Sequence, residues 1–153
     1  MTRLILTSLG LSLILATAAI AQVKITIPAQ HYRMQELIHA KVENTGNRPV
    51  TLCVEFGQTS SKGGEIESTP SPFWVQRNSN GKWGTLLIGP DVGSIRAAVV
   101  LKAGESKAFP FRLNDSGKMR LRLSYWSGST TNLDCHAPTK SLKLVTSAAF
   151  TIE

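Results

Sequence analysis

Apolar and polar residues alternate along most of this chain, in short runs separated by clusters of turn-forming residues. Val23-Lys24-Ile25-Thr26-Ile27 alternates, and Pro28 ends it. From Glu36 to Glu43, Ile38, Ala40 and Val42 share one face while His39, Lys41 and Glu43 share the other. After the turn cluster Asn44-Thr45-Gly46-Asn47-Arg48-Pro49, an inward face returns at Val50, Leu52, Val54 and Phe56. A period of two marks a half-buried strand, because successive side chains leave a strand on opposite faces.

Further strands are expected at Phe73–Arg77, Trp83–Ile88 and Ile95–Leu101, with Asn78-Ser79-Asn80-Gly81 as a hairpin turn between the first two. Ala103-Gly104-Glu105 turns the chain into Phe109–Leu113, where Pro110 lacks an amide donor and implies an edge or a bulge. Asn114-Asp115-Ser116-Gly117 leads into Met119–Tyr125. Leu142–Ile152 closes the pattern, with Leu144, Ala148, Phe150 and Ile152 expected on one face. Residues 58–72 and 127–138 are polar and read as loops. About seven to nine short strands with regular turns imply an all-β antiparallel sandwich or barrel. No internal repeat or linker divides it.

The first 21 residues follow another pattern. Arg3 precedes an apolar run from Leu4 to Ile20 that ends in Ala19-Ile20-Ala21, a small-x-small cleavage signal. A retained transmembrane helix needs about 20 strongly apolar residues, and this run is shorter and interrupted. Residues 1–21 therefore read as a signal peptide and 22–153 as one domain. The mature chain is then expected in the periplasm or the medium, where disulfides survive. The whole chain carries 17 Lys+Arg against 10 Asp+Glu. Removing Arg3 leaves 16 against the same 10, a net +6 that favours acidic partners. There is no block of like charges of the kind that binds nucleic acid.

Two stretches carry a family resemblance. One is Ile38 to Leu52, with Asn44, Gly46, Pro49 and Val50 in an N-x-G-x-x-P-V turn. The other runs from Leu101, through Gly104-Glu105, to Gly117-Lys118-Met119-Arg120-Leu121. Together they resemble the immunoglobulin-like sandwich superfamily, especially bacterial exported modules, and more distantly the intracellular proteinase inhibitor family of bacilli. The resemblance implies an immunoglobulin-like antiparallel sandwich and no particular activity. Met119 and Leu121 stand where antibody domains carry the corner tyrosine and the second core cysteine. Trp74 is the candidate for a buried core tryptophan.

Cys53 and Cys135 are the only cysteines. Cys53 is out of phase with the inward face of its strand. A disulfide is therefore expected to tie the 127–138 loop to that strand's outer face. Cys135-His136 raises a copper site, but a His₂Cys set needs an axial ligand, and Met34 and Met119 are remote in sequence. No metal or cofactor is expected. No Gly-x-Ser-x-Gly, His-Glu-x-x-His or Ser-x-x-Lys motif occurs, and the expected protein is not an enzyme.

The remaining candidates are surfaces. Lys118, Arg120 and Arg122 alternate with Met119, Leu121 and Leu123, which lines three cations along one outward stripe. Arg112 is expected to join them from a neighbouring strand, and Trp126 shares their phase and is expected on the outer side, either exposed beside the cations or covered by the 127–138 loop. The functional expectation is a monomeric, non-catalytic binding or accessory module. Its partner is expected to be an anionic glycan or acidic protein of the cell envelope. The alternative is a proteinase inhibitor acting through one of the two long loops.

Overall fold

Two facing sheets take up the alternation. The computed structural model describes residues 22–56, 71–86, 95–129, 135 and 142–153. Eleven strands lie among them: β1 (Val23–Thr26), β2 (His31–Tyr32), β3 (Ile38–Asn44), β4 (Val50–Phe56), β5 (Phe73–Ser79), β6 (Lys82–Leu86), β7 (Ile95–Leu101), β8 (Ser106–Phe111), β9 (Gly117–Ser127), β10 (Lys143–Thr146) and β11 (Phe150–Ile152). The count exceeds the expected seven to nine for two reasons. β2 is a two-residue strand, and the last expected strand is split into β10 and β11. The expected signal peptide lies outside the described residues. Among those described, no helix is long and apolar enough to cross a membrane.

The smaller sheet has the order β1-β3-β8. In the larger one, β9 is the central strand: β10 and β11 pair with it, as do β4 and β5. β4 lies against β9 only from Val50 to Leu52, and β5 takes up the pairing at Phe73↔Leu123. A bridge between Glu55 and Ser71 closes the fork. Pairing is antiparallel throughout except between β11 and β2. β8 is an edge strand, where Pro110, opposite His39, costs no inner ladder bond.

Ile38, Ala40 and Val42 of β3 face Leu52, Val54, Val75, Leu121 and Leu123 of the larger sheet, all buried. Phe73 meets Phe109 edge-on across the interface at 5.9 Å, and within the larger sheet Tyr32 meets Phe150 edge-on at the same distance. Each such side chain contributes about 1.5–3 kcal/mol by leaving water.

Local chemistry sets the turns. Asn80 and Gly81 have φ of 53° and 82°, the two positive values that a two-residue hairpin between Ser79 and Lys82 demands. Between β10 and β11 the alternation slips. Val145 is partly buried against the core, and five residues later Phe150 is buried too. An odd step between two inward residues requires an irregular stretch. Ser147 holds it: its amide donates to Leu121 O and its hydroxyl accepts from Leu121 N, both at 2.9 Å. The slip overturns the expected placement of Leu144 with Phe150 and Ile152. Leu144 is 52% exposed on the opposite face.

Candidate functional site

The outer face of the larger sheet carries the candidate site. Along β9, Met119, Leu121, Leu123 and Tyr125 turn inward, so Lys118, Arg120, Arg122 and Trp126 turn outward. On β5, buried Phe73 and Val75 force Trp74, Gln76 and Asn78 to the same outer side. The register aligns them: Trp74 is opposite Arg122, and Gln76 is opposite Arg120. On β6, Trp83 is opposite Asn78.

Arg120 is held from two directions. Its Nε donates to Gln76 Oε1 at 2.8 Å, and its guanidinium carbon lies 4.2 Å from the centre of the Trp83 ring. Gln76 is only 7% exposed although it lies on the outer side of the sheet. With Nε engaged, the end of the guanidinium formed by Nη1 and Nη2 is left for a partner. Arg122 lies between Trp74 and Thr146, and Lys118 lies opposite Thr151. Among the described residues, none of the three cations is in an ion pair. Two neighbouring guanidinium groups, one of them held in place and with no carboxylate of the described residues paired to either, form a positive surface suited to oxyanions.

Of the two tryptophans with an expected place, Trp74 is overturned and Trp126 takes the buried one of its two alternatives. Trp74 is 54% exposed on the outer face and is not a core residue. Trp126 is on the outward phase but only 3% exposed, and its Nε1 is a buried donor without an acceptor among the described residues. At that end of the face Gly128, at φ 95°, donates its amide to Pro49 O, and its carbonyl accepts from Thr51 Oγ1 at 2.7 Å. Thr51 is opposite Trp126, and Cys53 follows two residues along on the same side. Cys53 is disulfide-bonded to Cys135, as expected, with Cα atoms 5.6 Å apart. The bond brings buried Cys135 onto this outer face.

Arg112 does not join the stripe. It follows β8, which belongs to the smaller sheet, and its Nη1 donates to Gln35 O. Phase alone could not assign it, because sheet membership depends on pairing. Sequence reasoning offered Trp83 as a surface aromatic without placing it beside Arg120, and it missed Gln76. The hairpin signal at Asn80-Gly81 does imply that Trp83 lies opposite Asn78, and this is the clue that could have found them. The loops on which an inhibitory function would depend lie largely outside the described residues.

The chain matches no family model and no curated protein. Among solved structures it is similar to the ASH/PapD-like domain 7 of human CEP192, at 9% identity and a TM-score of 0.37, covering 96% of each chain. It is also similar to Spo0M, a sporulation control protein from Bacillus subtilis, at 10% identity and a TM-score of 0.37. That match covers 88% of this chain and about half, 50%, of Spo0M. Neither likeness says what this chain binds.

Proposed function

We propose that this chain is an exported, non-catalytic binding module of immunoglobulin-like type that docks an anionic partner of the cell envelope on the outer face of its larger sheet. The carrying observation is the arrangement of Arg120. Gln76 and Trp83 hold its guanidinium in place, Arg122 stands beside it, and Trp74 is exposed in the next row. A cation fixed before binding loses less side-chain freedom when it meets an anion, which argues for a receptor over a merely solvated stripe. Export agrees with the disulfide, a bond that persists in oxidising compartments. The net positive charge favours the same class of partner.

The test is charge reversal on this face. Arg122→Glu should abolish retention on an immobilised polyanion at about 0.15 M salt while thermal melting stays near that of wild type, and adding Arg120→Glu, which removes the donor to buried Gln76, should abolish it at a lower Tm. Retention equal to wild type would reduce the stripe to a solvated surface and overturn the proposal.

A further inference from the structure

We infer that the anionic partner is a polyuronate, a glycan that repeats a sugar ring and a carboxylate along its chain. The inference rests on the binding reading above and narrows it to one ligand class. What points there is that the site pairs aromatic rings with cations twice. One row across the strands holds Trp74 beside Arg122, and the next holds Gln76 beside Arg120, with Trp83 stacked on that guanidinium. Residues two apart on a strand are about 7 Å apart, so the rows are near neighbours on one surface.

The two kinds of group make different demands on a ligand. Arg120 has its Nε occupied by Gln76, so it presents the planar Nη1/Nη2 end, which takes a carboxylate through two parallel hydrogen bonds. Trp74, at 54% exposure, offers an indole face, which the C–H side of a pyranose ring can cover. Leu144, 52% exposed on the strand across β9 from Trp74 and opposite Ser124, adds apolar surface one row along from Arg122. An acidic peptide would satisfy the arginines and leave the indole without a matching ring. A neutral glycan would cover the indole and leave two guanidinium groups unanswered. Only a ligand with both features uses both rows.

The experiment titrates the purified chain with polygalacturonate, polymannuronate, fully methyl-esterified polygalacturonate and poly-L-glutamate, following heat and tryptophan emission. At least one polyuronate should bind, at least about tenfold more tightly than the ester or the polypeptide, and Trp74→Ala should weaken that binding about tenfold or more. In the wild-type chain, stacking on exposed indole should shift tryptophan emission to the blue, a readout that does not depend on the variant folding. Binding of polyglutamate as tight as that of either polyuronate would overturn the polyuronate inference. So would indifference of a folded Trp74→Ala to the polyuronate, or the absence of an emission shift. In each of those cases the anion-binding reading stands if Arg122→Gln still weakens polyanion binding. Failure of all three polyanions to bind would overturn both.

Discussion

Asn44 ends β3 on the inward phase with no exposed surface, and replacing it with alanine should destabilise the fold by about 3–4 kcal/mol. Its Nδ2 donates to Arg48 O at 2.7 Å, Leu101 O at 3.1 Å and Lys102 O at 3.0 Å, and its Oδ1 accepts from Gly46 N at 3.0 Å. Two protons serve three carbonyls, so the set is equivalent to about three net bonds at about 1 kcal/mol each. The void left by the amide adds about 1 kcal/mol more. These bonds join the β3–β4 turn to the end of β7, and so tie the two sheets together at one end. The asparagine of the N-x-G-x-x-P-V turn is thus a cross-sheet tie as well as a turn former. Urea unfolding followed by tryptophan fluorescence measures the effect, with the disulfide intact. Asn47→Ala, at an exposed position of the same turn, is the control and should stay within about 0.5 kcal/mol of wild type. An Asn44→Ala protein within about 1 kcal/mol of wild type, at unchanged m-value, would refute the reasoning by showing that water replaces the amide without loss.

Other consequences can be checked in the same preparations. Cys53 and Cys135 are 82 residues apart, and in the chain-entropy model that cross-link contributes roughly 4 kcal/mol; reduction should lower Tm by more than about 10 °C, and an unchanged melt would contradict this. Trp83→Ala should leave stability within about 1 kcal/mol of wild type but speed hydrogen exchange at Arg120 Nε in NMR spectra; an unaltered rate would mean the indole does not restrain the guanidinium. Burial pushes the Tyr125 phenol above its ordinary 10.0, with a hydrogen bond to the Gln22 backbone acting the other way. The folded chain therefore keeps a proton that the unfolded chain loses, so this group's stabilisation is complete below pH 10 and declines as pH rises beyond it. Tyr125→Phe should flatten that alkaline decline, and an identical pH profile would exclude the phenol as its source.

The strand phases were legible wherever alternation ran unbroken. Along β9 the inward set Met119, Leu121, Leu123 and Tyr125 and the outward cations Lys118, Arg120 and Arg122 follow directly from a period of two. The same rule failed across residues 147–149, because one irregular step reverses every later side chain and nothing in Ser147-Ala148-Ala149 announces it. Trp126 and Trp74 show a different limit. Phase put Trp126 on the outer side, but its burial there depends on tertiary contacts that a period of two does not encode. Trp74 was misassigned by analogy with antibody domains, although its own neighbours Phe73 and Val75 place it outside.

By itself, then, the sequence determined an all-β chain, the inward face of most strands, the tight turn at Asn80-Gly81 and a line of outward cations. Each of these depends on residues a few positions apart. The tertiary structure alone decided that Trp83 and Gln76 meet Arg120, that Trp74 flanks Arg122, that Arg112 belongs to the other sheet and that Trp126 is covered. Those facts depend on which strands pair and in what register. Pairing between strands more than 40 residues apart is set by burial across the whole core, which no local pattern encodes.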